Sequence, residues 1–227
     1  MIQTESSVFL SAHFRQGGKE RGQHAAQGGG GGGKAGRAGR AVPRAGKLEL
    51  HGIDALGSVA AEDVAAYHLG GLLLFGRDYK DADGDWLSAE ELTAKLESYQ
   101  AAAELPLFIG SDEEGGTVTR ASRNPNLFSE TFKSPQKLNY IGGIEEILRD
   151  TDTRSRELRA LGINVNFAPV CDVSTDSGDF IYDRSLGQDA ETTAKYTAAV
   201  VEKMNSRTVN MMSVLKHFPG YGSAAED

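Results

Sequence analysis

Residues 107–116 read Leu107-Phe108-Ile109-Gly110-Ser111-Asp112-Glu113-Glu114-Gly115-Gly116, a short apolar run that ends at once in three acids and two glycines. A run this short and this continuous suits a strand covered on both faces rather than an amphipathic helix. The pattern recurs. Gly71-Leu-Leu-Leu-Phe75 runs into Gly76-Arg-Asp78, Val165-Asn-Phe-Ala-Pro-Val170 into Cys171-Asp172, and Ser213-Val-Leu-Lys-His217 into Phe218-Pro-Gly220, with Leu48-Glu-Leu-His51 as a weaker fifth run. Helical patterns lie between them at about 60–68, 88–103, 143–161 and 189–206, the second opening on the capping box Ser88-Ala-Glu-Glu91. Buried strands alternating with amphipathic helices predict a parallel sheet in an α/β fold. Polar residues gathered at the carboxyl ends of successive strands are what a (β/α) barrel needs for its site. A doubly wound sheet would also bind there, but neither G-x-G-x-x-G nor G-x-x-x-x-G-K-[ST] occurs. The expected fold is an incomplete (β/α)8 TIM-type barrel, with about five of its eight units present.

The composition divides the chain in two. Of 227 residues, 39% are hydrophobic and 25% charged, which suits a globular protein, and the net charge of -8 argues against a general nucleic-acid binder. Residues 1–47 hold 12 of the 28 glycines and a charge of +6, leaving -14 on residues 48–227. The first stretch is read as a disordered Gly/Arg-rich tail, since it cannot bury enough apolar surface to offset its backbone entropy. A nucleic-acid tail or an out-of-frame coding stretch are the other readings of it. Residues 48–227 are read as the barrel part. The single Cys171 allows no internal disulfide, and no ligand spacing suggests zinc. No run approaches the length of a membrane span, and Met1 to Gln16 lacks the pattern of a secretory signal, so the chain as written is expected in the cytoplasm. A different true N-terminus would allow secretion.

The strand ends carry the chemistry. In an extended segment Asp112 and Glu114 share one face and Glu113 points elsewhere, so the first two can meet a polyhydroxylated ligand. Arg120 stands ready to neutralise Asp112 or to bind a ligand oxygen. Asp172 lies at another strand end, followed by Asp176, Asp179 and Asp183, a run without the calcium-loop spacing. Asp183 and Arg184 read either as a surface pair or as a fork for hydroxyls. Lys216 raises a Schiff-base aldolase as a rival, which would need that lysine desolvated.

Taken together, Gly70-Gly-Leu-Leu-Leu-Phe-Gly76, Asp112-Glu-Glu-Gly-Gly-Thr-Val-Thr-Arg120, Asn164-Val-Asn-Phe-Ala-Pro-Val-Cys-Asp172, Asp183-Arg-Ser185 and Lys216-His-Phe-Pro-Gly-Tyr-Gly222 resemble the catalytic domain of family 3 glycoside hydrolases. The likeness is strongest to the β-N-acetylhexosaminidase branch and covers roughly 58–227. It implies retaining hydrolysis of terminal N-acetyl-β-hexosaminides, muropeptide-like glycosides among them, with no cofactor and no metal. It further implies that Asp112, Arg120, Arg184, Lys216 and His217 bind the terminal sugar. Asp227 falls on the Asp of the D-x-H pair whose His is the acid/base. That His would stand two positions beyond Asp227 and the nucleophilic Asp on a later strand, so the chain as given is expected to be inactive. The alternatives are a non-catalytic sugar-binding remnant and a β-glucosidase of the same family.

Overall fold

The computed structural model describes residues 51–52 and 61–226, and only the backbone of the first pair. The expected tail 1–47, the start of the first run at 48–50, and Asp227 lie outside the described residues. Within them the chain alternates strand and helix without exception: β1 (His51–Gly52), α1 (Ala61–Ala66), β2 (Gly71–Leu74), α2 (Ala89–Ala102), β3 (Phe108–Ser111), α3 (Pro135–Ala160), β4 (Val165–Asn166), α4 (Ala190–Asn205) and β5 (Met212–Ser213). The sheet is parallel throughout, in the order β1-β2-β3-β4-β5, so each strand pairs with its neighbour in sequence. A parallel pair requires a crossover, and here every crossover carries a helix. This is α/β architecture of the barrel type, present as part of a barrel.

The near-continuous apolar runs are explained by two cores. On β2, Leu72 and Leu74 face the helices with Ile109, Leu92, Leu96, Leu158, Tyr196, Val200 and Met204. Leu73 faces the other way, packing with Phe108 and Met212 against Val165, Phe167 and Val214. Fully burying one such leucine contributes about 1.5–3 kcal/mol. On α2, Leu92, Leu96 and Tyr99 form the buried stripe. Ser88 and Glu91 close the capping box there, with Ser88 N–H donating to Glu91 Oε2 at 2.7 Å. Asp189 caps α4 by accepting from Thr192 N–H at 2.8 Å.

Several boundaries differ from expectation, the last strand among them, since β5 covers Met212–Ser213 rather than 213–217. The third helix starts at Pro135 rather than near 143, because Gly142 and Gly143 leave helical geometry and join two helices at a kink. The ladder of β4 covers only Val165 and Asn166, with one further bridge from Val170 to Lys216. Between them the loop beyond β4 and the loop beyond β5 run side by side toward the site.

Candidate active site

The end of β3 is fixed by Glu113, which points away from its two acidic neighbours and is 0% exposed. Its Oε2 accepts the backbone N–H groups of Arg120 at 3.0 Å, Ala121 at 2.8 Å and Ser122 at 3.3 Å, while Oε1 accepts the Ser122 hydroxyl at 2.5 Å. One carboxylate thereby closes the excursion 114–122 back onto the strand. Burial pushes the Glu113 carboxyl above the usual range, against the Ser122 and Arg120 hydrogen bonds and the nearby Arg154 charge. From the next strand the Asn166 amide acts as an added rung, accepting from Glu113 N–H and donating to Glu113 C=O, each at 3.0 Å. Arg154, reaching from α3, donates to the carbonyls of Glu113 at 3.0 Å and Glu114 at 2.7 Å. The turn that follows admits only glycine. Gly115 and Gly116 both have positive φ, and a Cβ on Gly115 would lie 2.1 Å from the Lys133 carbonyl oxygen.

Glu114 and Asp112 share the opposite face and meet the end of β5. Arg184 grips Glu114 with both arms of its fork, Nε at 3.0 Å and Nη2 at 2.9 Å. Lys216 Nζ pairs with Glu114 and donates to Asp112 Oδ1 at 2.6 Å. Arg120 Nη2 stands 3.8 Å from Asp112 Oδ2, beyond hydrogen-bond range. Glu114 is therefore consumed in aligning two cations, whereas Asp112 accepts from Lys216 on Oδ1 and turns Oδ2 toward Arg120. Burial works against the charge on Arg184, but the hydrogen bonds and charge of Glu114 outweigh it and hold the guanidinium above its usual range.

Asp172 organises the remaining corner. Its Oδ2 accepts His217 backbone N–H at 2.9 Å and lies 2.8 Å from His217 Nδ1, while Oδ1 accepts Tyr221 N–H at 2.8 Å. Burial alone would raise the Asp172 carboxyl, yet the bonds from the His217 ring, Tyr221 N–H and His217 N–H together hold it below the usual range. The His217 Nε2 atom is 3.0 Å from Arg184 Nη2. A guanidinium only donates and a carboxylate only accepts, so these partners assign the proton to Nδ1 and leave Nε2 accepting.

The structure thus brings Asp112, Arg120, Arg184, Lys216 and His217 together, while Asp227 lies outside the described residues. Arg184 turns to Glu114 rather than forming a surface pair with Asp183. Lys216 is enclosed by two carboxylates instead of standing in an apolar pocket, which removes the setting a Schiff-base lysine needs. In the loop after Asp172, Asp179 accepts from the Ser174 hydroxyl and Asp176 from Gly178 N–H. Among the described residues no cluster of three or more His, Cys, Asp or Glu is arranged to hold a metal ion. Cys171 is half-buried, and burial pushes its thiol up, away from the nucleophilic form. Glu114, expected with Asp112 to meet a ligand, instead aligns Arg184 and Lys216. The partners that sequence reasoning did not select are Asn166 and Arg154. Arg154 sits among alternating charges on a helix, and nothing in its neighbourhood marks it out.

Residues 44–227 match the model of the glycosyl hydrolase family 3 N terminal domain. Beta-hexosaminidase LpqI of Mycobacterium tuberculosis is 35% identical over 166 residues, which cover 72% of this chain and 39% of LpqI. A beta-hexosaminidase of Vibrio cholerae serotype O1 is 31% identical over 182 residues, covering 73% of this chain and 50% of the relative. A family 3 beta-N-acetylglucosaminidase from Paenibacillus sp. superposes with a TM-score of 0.61 at 28% identity, covering 74% of this chain and 30% of that one. NagZ from Neisseria gonorrhoeae, solved in complex with N-trifluoroacetyl-D-glucosamine, gives 0.54 at 27% identity, covering 67% and 43%. The chain spans between about two fifths and half of the length of these two curated relatives.

Proposed function

The chain belongs to glycosyl hydrolase family 3, and we propose from that premise that its strand-end cluster grips the terminal N-acetylhexosamine of a glycoside that the whole protein hydrolyses with retention. The observation that supports this is the convergence of one carboxylate, on Asp112, with the cationic donors Lys216, Arg184 and Arg120. A sugar hydroxyl both donates and accepts, so a carboxylate flanked by fixed donors gives it both partners in strong, charge-assisted bonds. Glu114 and Asp172 act one step back, Glu114 aligning Lys216 and Arg184, Asp172 fixing the ring of His217. Asp227 is proposed as the partner of an acid/base histidine, a role that rests on the family resemblance. Carboxylate and imidazole groups suffice for this reaction without a cofactor.

Sugar binding without cleavage draws on the same cluster, because none of the five gripping groups has to take part in breaking the bond. Calorimetry on the purified chain tests the grip. N-acetylglucosamine is expected to bind saturably and more tightly than glucose, and Asp112→Ala to weaken it about 30-fold through loss of charged hydrogen bonds. Equal affinity for glucose would favour the β-glucosidase alternative. No saturable binding, or an unaffected Asp112→Ala variant, would remove the cluster from the sugar site. Turnover of p-nitrophenyl N-acetyl-β-glucosaminide by the whole protein separates hydrolysis from binding alone. Muropeptide-like fragments offered as competitors test the finer substrate class.

A further inference from the structure

We infer that Phe180 is a positioning residue that fastens the loop beyond β5, residues 218–226, to the loop beyond β4 and so sets the posture of the sugar site. In the loop beyond β5, Phe218 to Gly220 and Gly222 to Glu226 are exposed. Its far end is tied where Phe180 N–H donates to the Ala224 carbonyl at 2.8 Å. Its middle is tied where the Phe180 ring meets Tyr221, with centroids 5.1 Å apart. Tyr221 carries the restraint inward by two routes. Its ring stands edge-on to His217 at 4.7 Å, and its N–H donates to Asp172 at 2.8 Å.

The other side of the clamp is built to hold. Ser174 Oγ donates to Asp179 Oδ2 at 2.6 Å, Asp179 N–H to the Asp176 carbonyl at 3.1 Å, and Gly178 N–H to Asp176 Oδ1 at 2.9 Å. The next residue, Ile181, is 0% exposed and roots the segment in the protein. Phe180 thus joins the braced loop to the exposed one, and acts through Tyr221. The fastening does not depend on the hexosaminidase reading; its consequence for the sugar does.

Hydrogen exchange on the full 227-residue chain, read by peptide mass, tests this directly. Phe180→Ala is expected to speed exchange of the amides in 218–226 about tenfold through loss of the ring contact with Tyr221, the backbone N–H at 180 being retained. The amides of α2 and α4 should keep their wild-type rates. Phe180→Tyr should stay within about twofold of wild type, since the ring is retained. Ser174→Ala, which loosens the brace without touching the clamp, should give an intermediate rise. Affinity for N-acetylglucosamine is expected to fall severalfold in Phe180→Ala and to return in Phe180→Tyr. Unchanged exchange in 218–226 for Phe180→Ala would overturn the inference, and so would equal loosening of the helices, which would make Phe180 a general stability residue. If the loop is freed while the wild-type chain binds no sugar, the clamp stands and the hexosaminidase reading falls.

Discussion

Glu113 and Asp172 are buried carboxylates at two strand ends, and each ties down a loop by accepting several hydrogen bonds, yet burial wins at one and hydrogen bonding at the other. Glu113 is surrounded by backbone amides, one hydroxyl and the more distant charge of Arg154, and burial pushes its carboxyl up. Asp172 adds an imidazole to its two backbone donors and is held below the ordinary range. The difference teaches what each loop is for. Around Glu113 the chain is locked by Asn166, Arg154 and a turn that admits only glycine. Around Asp172 the lock includes the ring of His217, a group of the proposed sugar site.

The comparison breaks most severely at the glycine turn. Gly115→Val sets a branched side chain at positive φ against the Lys133 carbonyl and is expected to cost at least about 3 kcal/mol, measured by chemical denaturation. Next comes Glu113→Ala, which leaves three backbone N–H groups and a hydroxyl without their acceptor and should cost about 3 kcal/mol. Glu113→Gln keeps an acceptor oxygen and should cost under about 1 kcal/mol. Asp172→Asn is expected to cost about 1 kcal/mol in stability and to weaken N-acetylglucosamine binding about tenfold, because its NH2 must face either Tyr221 N–H or the two His217 donors and so loosens the His217 ring. If instead it destabilises as much as Glu113→Ala and leaves binding untouched, the two anchors are equivalent and the distinction fails.

The smallest effect is in the pH dependence of unfolding. A carboxyl raised on folding binds more protons in the native state, so stability falls as pH climbs from its ordinary value of 4.5 through the raised one, and Glu113→Gln should flatten that slope. A carboxyl lowered on folding contributes stability that is present above its ordinary value of 3.8 and lost as pH drops through the folded value. Asp172→Asn should flatten that lower limb. The two variants acting on the same limb would refute the opposite signs.

How much of this was legible follows from how each contact is encoded. Strands, helices and the polar groups at strand ends repeat along the chain and can be read from periodicity. The division of labour among Asp112, Glu113 and Glu114 was legible for the same reason, since alternation along a strand sends the middle acid away from its neighbours. The rungs from Asn166 to Glu113 span 53 residues and pair a side chain with backbone, which leaves no period to detect. Arg154 reaches the carbonyls of Glu113, Glu114 and Lys133 from a stretch of helix where charged residues crowd the sequence. The first half of α3 was missed because its glycine pair reads as an end, although Ser134 followed by Pro135 is a helix start that could have been recognised.

The order of the sheet bears on how such a chain comes into being. Because each strand lies beside the one made just before it, every new strand leaving the ribosome finds its template already laid down and never has to wait for, or slip between, strands made later. Assembly can keep pace with translation, one strand and helix at a time, and of the two edges left open at any moment only the newest one advances.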